Sequence, residues 1–416
     1  VEEKRFLRHG GQRVSASGTG IYLDHHATTP CDPRVLDAML PCFAEDFGNP
    51  SSRQHAWGRR AAERVERARA QVADLLGAES SEIVFTSGAT ESNNLALFGA
   101  VDALSGAAGR GQPHVVTQVT EHKAVLDACA VLEDRGVDVT YLPVDAGGRL
   151  DPVAVADALR ESTVLVSVML ANNEIGTIQP VAEIADICRR RGVWLHTDAA
   201  QALALLDCRI ESLGADLVSL SGHKAYGPKG VGALYVRRRR PRVRLVPRQV
   251  GGGHERGRRS GTLDVPSIVG FGRACELIRD ERDGDARRLA GLRDRLLDGL
   301  RRAFPDLVVN GTSEHRLPNN LNISLPGTVA ADLLDELRDV ALSSGSACTS
   351  TAGASSHVLA ALGDRGRDLA ESALRFGLGR TTREEHLDAA LDELRRAFDA
   401  VRARGPRAEA VCGVPA

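Results

Sequence analysis

The sequence predicts an α/β protein built on a mainly parallel sheet flanked by helices, followed by a smaller α+β part. Two observations carry this. From about residue 60, helical segments with apolar residues every three or four positions alternate with short apolar runs. After about residue 280 the texture changes to long Arg-, Asp- and Leu-rich helices. A chain of 416 residues that is 43% hydrophobic can bury a large core, with material for two or three domains.

Ala61, Val65, Ala68, Val72 and Leu76 lie on one face of a helix. Strand-like runs follow at Glu82 to Thr86, His114 to Val119, Val164 to Leu170, Val193 to Thr197, Leu217 to Leu220 and Val231 to Val236. The helical intervals between them suit right-handed crossovers in a parallel sheet. The second part has helices at 283–303, 330–338 and 383–403 and a strand near Asn320 to Leu325. The division is placed at residue 280, with 32–280 as the large part and 1–31 plus 281–416 as the small one, because ordered termini need a surface to dock on.

Acidic and basic residues nearly cancel, 55 against 53, so no global field draws the chain to nucleic acid or membrane. No stretch reaches the roughly 18–20 uncharged apolar residues of a membrane helix, which points to a cytoplasmic protein. The cysteines at 31, 42, 129, 188, 208, 275, 348 and 412 are scattered, without C-x-x-C or zinc-finger spacing. This predicts a reducing compartment, no metal site, and cysteines that mostly serve as small core residues. Cys348 is the exception, set in Ser343-Ser344-Gly345-Ser346-Ala347-Cys348-Thr349-Ser350, too polar and flexible for a core.

Lys224 ends Ser219-Leu220-Ser221-Gly222-His223-Lys224, after a buried-looking strand. A lysine at the carboxyl end of an α/β strand can reach a ligand crevice, and a partly desolvated amine forms Schiff bases. Taken alone it is an ordinary surface charge; its neighbours change that. Asp198 ends the preceding strand and suits the ring nitrogen of a pyridinium cofactor, or equally a helix N-cap. Thr86 to Thr90 joins a strand to a helix and leaves backbone amides free for a phosphate. His122, in Thr120 to Lys123, reaches the same sheet edge, where an imidazole can stack on a flat ring and move protons, or serve a structural role. Asn172, Asn173 and Gln201 add hydrogen-bonding groups.

These motifs, with Tyr22-Leu23-Asp24-His25-His26-Ala27-Thr28-Thr29-Pro30, Phe47-Gly48-Asn49-Pro50-Ser51-Ser52, Asn172 to Gly176, Gly251-Gly252-Gly253-His254-Glu255 and Ser343 to Ser350, appear in the order found in the cysteine desulfurases, and the chain resembles that family from about residue 21 to 400. The resemblance implies the pyridoxal-phosphate transferase fold of type I, with a seven-stranded sheet in the large domain. It also implies a homodimer and the cofactor pyridoxal 5'-phosphate. By resemblance, Lys224 holds the cofactor covalently and Asp198 pairs with its ring nitrogen. His122 stacks on the ring and shuttles protons, and Gln201 bonds its phenolic oxygen with Asn173 nearby. Ala89, Thr90, Ser221 and His223 hold its phosphate, and Thr262 in Arg259-Ser260-Gly261-Thr262 reaches the partner's phosphate.

Arg375, in Leu374-Arg375-Phe376-Gly377, looks like the family's clamp for the carboxylate of the substrate, L-cysteine. A planar guanidinium matches a carboxylate bidentately, although a surface ion pair would use the same residue type. Cys348 matches the nucleophile of the subgroup with a long catalytic loop, Ser343 to about Ser356, and would take the substrate sulfur as a persulfide for an acceptor protein. With an ordinary pKa near ~8.5, few thiols would be ionised at neutral pH, so a proton acceptor such as His122 should help. Selenocysteine lyase, another class-V aminotransferase and a catalytically idle platform are the alternatives.

The tail after residue 400 lacks the Trp-containing segment found in many members that feed iron–sulfur scaffolds. That leaves tRNA thiolation, DNA phosphorothioation and thio-metabolite synthesis as acceptor pathways beside iron–sulfur assembly. The basic run from Arg237 to Arg244 reads as a solvated strand end more readily than as a docking patch, and direct nucleic-acid binding is not expected.

Overall fold

The computed structural model describes residues 20–104, 112–344 and 356–404. The large sheet has seven strands: β1 (Ile83–Thr86), β2 (His114–Gln118), β3 (Asp138–Leu142), β4 (Thr163–Ser167), β5 (Trp194–Asp198), β6 (Leu217–Ser221) and β7 (Gly232–Val236). Their order is β1-β7-β6-β5-β4-β2-β3. Only β7 opposes its neighbours, pairing antiparallel with both β1 and β6; every other pairing is parallel. The carboxyl ends of β1 to β6 therefore share one edge of the sheet.

Every residue of β1, β2, β4, β6 and β7 is buried. Strands covered on both faces need continuous apolar runs, which is why they stand out in the sequence. Strand β3 has no counterpart among the strand-like runs read from the residues. It is an edge strand in which only Leu142 is buried, so Asp138-Val139-Thr140-Tyr141 carries no clear pattern.

Helix α1 (Ala56–Leu76) buries Ala61, Val65, Ala68 and Val72 as its periodicity predicts. His55 caps its start by accepting from the Gly58 amide, and Gly77 closes it at a φ of 62°, in the left-handed region that glycine adopts freely. Helix α2 (Ala89–Leu104) begins just beyond β1, and α3 (Lys123–Asp134) begins just beyond β2. These two starts place helix N-termini at the same sheet edge.

The smaller sheet has strands β8 (Val308–Val309), β9 (Asn320–Ser324), β10 (Ser343–Ser344) and β11 (Ala373–Gly377), in the antiparallel order β10-β11-β9-β8. Ile21–Tyr22 pairs in parallel with Val340–Ala341, which places the start of the described chain on this second part. The helix expected at 283–303 is the second half of a continuous 39-residue helix, α4 (Val265–Ala303). The sequence-drawn boundary at 280 falls inside it, because its buried face continues from Ile268, Phe271 and Cys275 through Leu289, Leu292 and Leu296 into one core cluster. That cluster also contains Leu220 of the large sheet and Phe376 of the small one. A last helix, α5 (Glu384–Arg404), closes the small part.

Five cysteines, Cys42, Cys129, Cys188, Cys208 and Cys275, are buried, and Cys31 is half-buried. Cys348 and Cys412 lie outside the described residues. Among the described residues no helix is long and apolar enough to cross a membrane.

The closest approach of α1 to α4 is set by Gly272, where a Cβ would stand 2.6 Å from the Ala68 Cα. Replacing Gly272 by valine should cost about 1–3 kcal/mol, because the backbones cannot separate without opening the core. Thermal unfolding followed by circular dichroism should show a lower Tm for Gly272→Val than for the parent.

Candidate active site

The common edge of β1 to β6 encloses a cavity of about 480 Å³. The Ser87–Glu91 turn, His122, Asn173, Asp198, Gln201, Ser221, His223 and Lys224 line it, as do His26, Ala27, Thr28 and Asn93. Ligand sites in open α/β sheets sit at such carboxyl ends, where the loops diverge.

Asp198 closes β5 with only 6% of its surface exposed. Its two oxygens are held separately: Oδ2 accepts from Asn93 Nδ2 at 2.7 Å and Oδ1 from the Ala200 amide at 2.9 Å. Lys224 follows β6, and its Nζ donates to the carbonyls of His26 and, at 2.9 Å, Ala27. The amine and the carboxylate thus meet in one cavity from adjacent strands.

Gln201 bonds His26 twice: its Oε1 accepts from His26 Nδ1 at 3.0 Å, and its Nε2 donates to the His26 carbonyl at 3.0 Å. This fixes the imidazole with its proton on Nδ1 and leaves Nε2 buried with no partner. Burial, and then the charge of Arg375, pushes the His26 pKa down to about 3. The ring is therefore a neutral acceptor at physiological pH. His223 is also neutral, lowered to about 4 by burial and then by the charge of Lys224, and its Nδ1 lies 3.1 Å from Thr28 Oγ1.

Gly88 has a φ of 152° and only open space where a Cβ would stand. It begins the turn into α2, whose first amides point toward the cavity edge with the positive end of the helix dipole. His122 caps α3, its Nδ1 accepting from the Ala124 amide at 3.1 Å. Thr262 is exposed on the loop before α4 and does not line this cavity.

Arg375 is not the surface ion pair that its residue type alone would suit. It is 1% exposed and lies outside the cavity lining, donating to Asn173 O at 2.9 Å, Asp24 Oδ1 at 2.8 Å and Ser343 Oγ at 3.2 Å. Its Nε is buried without a partner. Two acids stand near. Burial raises Glu174 to about 7, and Ser356 Oγ donates to its Oε2 at 2.5 Å. Burial raises Glu121 to about 8; its Oε1 accepts from the Met169 amide at 2.5 Å and from Gln118 at 3.1 Å, while Oε2 has no partner.

His26 and Asn93 were not among the residues singled out from the sequence. His26 lies inside the Tyr22 to Pro30 motif, and Asn93 stands one helical turn beyond Ala89 on the α2 face that follows the phosphate turn, so extending that motif by a turn finds it. Cys348 lies outside the described residues.

The model for class-V aminotransferases matches residues 21–390. A cysteine desulfurase IscS from Anaeromyxobacter dehalogenans is 54% identical over 89% of this chain and 90% of its own length. The chain belongs to the cysteine desulfurases of the class-V aminotransferase family. A cysteine desulfurase from Homo sapiens is 50% identical over 90% of this chain and 80% of its own. Among solved structures, a NifS-like protein superposes with a TM-score of 0.84 at 36% identity, covering 92% of this chain and 100% of that one.

The cofactor of these desulfurases is pyridoxal 5'-phosphate, and the cavity fits it. An amine and a fixed carboxylate face one space, the orphaned His26 Nε2 and Asn93 Oδ1 offer acceptors, and the open Gly88 turn at a helix start suits a phosphate.

The raised Glu121 carboxyl gives a pH signature. Its folded pKa of about 8 exceeds the ordinary 4.5, so the folded state holds the extra proton between those values. Stability from this group is full below about pH 4.5 and is lost as pH rises through 8. Glu121→Gln should therefore flatten the fall in stability between pH 5 and pH 8, read from urea midpoints at the two pH values.

Proposed function

We propose that this desulfurase converts free L-cysteine to L-alanine and carries the sulfur as a persulfide on Cys348, then hands it to an acceptor protein. The observation that carries this is the meeting of Lys224, Asp198 and the Gly88 phosphate turn in one cavity. Pyridoxal phosphate, when bound, supplies an electron sink for the bond electrons at Cα.

The chain's residues supply the rest. Asp198, oriented by Asn93 and the Ala200 amide, keeps a ring nitrogen protonated. Lys224 would hold the cofactor, and its amine would move the substrate's Cα proton. His122 would pack against the cofactor and accept the Cys348 proton, while Gln201, with Asn173 nearby, would hold its phenolic group. Ala89, Thr90, Ser221 and His223 hold the phosphate. Arg375 receives the substrate carboxylate, which would satisfy its orphaned Nε.

Cys348 as thiolate attacks the substrate's γ-sulfur. The new S–S bond forms as the Cβ–S bond breaks; its electron pair stays on Cβ and takes up a proton. Atoms balance, since cysteine and one thiol give alanine and one persulfide.

A homodimer is supported by the exposed Thr262 loop and by Phe43, Phe47 and Trp57, which are 63%, 64% and 50% exposed on the elements before and at the start of α1. Thr262 would then complete the partner's phosphate site. Iron–sulfur assembly is the acceptor pathway that the name of the Anaeromyxobacter relative favours.

Incubation of the cofactor-loaded protein with L-cysteine and a reductant should yield alanine and sulfide in equal amounts, and Cys348→Ala should abolish both while keeping the visible absorption of the bound cofactor. A loaded parent protein that forms neither product overturns the reading. Lys224→Ala should lose the absorption of the covalently held cofactor.

A further inference from the structure

Gln201 and His26 are joined so that neither group can be reversed. The His26 carbonyl has only lone pairs to offer, so the Gln201 atom facing it at 3.0 Å must be the amide nitrogen. The other end of the amide, Oε1, then faces His26 Nδ1 at 3.0 Å and requires a proton there. The imidazole carries one proton and no more, because burial, followed by the charge of Arg375, keeps it neutral, and Lys224 and His25 act in the same direction. Nδ1 holds that proton and Nε2 is bare.

His26 is only 2% exposed and is itself held from both sides. Before it, the His25 amide donates to the Gly377 carbonyl at 3.1 Å, and the Gly377 amide donates to the Leu23 carbonyl at 2.6 Å. Gly377 of β11 also closes one side of the ring, since a Cβ there would stand 2.9 Å from His26 Cδ2. After it, the Thr29 amide donates to the His223 carbonyl at 2.9 Å. The His26 carbonyl accepts from Lys224 Nζ as well as from Gln201, so amine and amide refer to one oxygen.

With Oε1 engaged by Nδ1 and one N–H spent on the carbonyl, the Gln201 amide has a single N–H left. We propose that His26 is a positioning residue for the cofactor: it locks Gln201 so that this N–H, and not the amide oxygen, meets the phenolic oxygen of pyridoxal phosphate. A donor at that oxygen favours the negatively charged form of the phenolic edge. This rests on the desulfurase reading and its cofactor, and assigns His26 an action through Gln201.

The visible band of the bound cofactor changes position at a pH midpoint, as its phenolic edge gives up a proton, and a donor at the oxygen lowers that midpoint. His26→Ala releases the oxygen end of the Gln201 amide. It should raise the midpoint by about 0.5–1 on the pH scale, the size of one weakened hydrogen bond to a charged group. His26→Asn offers an amide N–H to Gln201 Oε1 in place of the ring and should stay within about 0.3 of the parent. Gln201→Ala should raise the midpoint at least as far as His26→Ala, and the double variant should go no further than Gln201→Ala alone. A measurement on the parent needs no variant to fold: nitrogen NMR of its histidines should place the His26 proton on Nδ1, without titration between about pH 5 and 8.

An unmoved midpoint in His26→Ala or in Gln201→Ala, a shift in His26→Asn as large as in His26→Ala, additive shifts in the double variant, or a proton on Nε2 in the parent would each overturn the proposal. A loaded parent that forms no alanine from cysteine while the midpoints move as expected removes the desulfurase reading alone and leaves the role of His26 standing.

Discussion

Among the described residues Arg375 is the largest side chain taken almost wholly out of water, and a guanidinium so buried has to be matched by acceptors from whatever surrounds it. Those acceptors come from three distant stretches: Asp24 near the start of the described chain, the Asn173 carbonyl beyond β4 of the large sheet, and Ser343 of the small one. Desolvating the charge is tolerable only if all three arrive together. The pairing therefore acts as a register mark between the two sheets and the N-terminal segment, and the cavity wall containing Asn173 inherits its position from it.

On the other side of the cavity the constraint is directional. Six strands run the same way, so their carboxyl ends deliver a phosphate turn, an imidazole, a carboxylate and an amine to one edge without any long loop having to carry them. Each polar group is then oriented by a neighbour: Asn93 for Asp198, Gln201 for His26, Thr28 for His223. Burial lowers His26 and His223, so these two imidazoles of the cavity wall are neutral, and it raises Glu121 and Glu174, which stand outside the lining.

Much of this was legible in the residues. Strands buried on both faces show as apolar runs, and α1 shows as a three-to-four repeat, because burial imposes those patterns directly. Lys224, Asp198 and His122 stood out because each closes or follows an apolar strand-like run, and the fold brings all three to one cavity. β3 was missed because an edge strand with one buried residue is under no such demand. The depth of Arg375 was illegible for a different reason. It depends on Asn173 and Asp24, 202 and 351 positions away, and no local pattern encodes a partner that far off.

Helix α4 has a further consequence. At 39 residues it is about 58 Å long, at roughly 1.5 Å per residue, and the buried faces of its two halves, separated by the charged stretch 279–288, belong to one core cluster. A hinge between the two would have to bend a regular helix instead of a linker. Severing the chain near residue 280 would take one of those faces from each fragment. Neither sheet is thus a portable module, since the core that covers one covers the other.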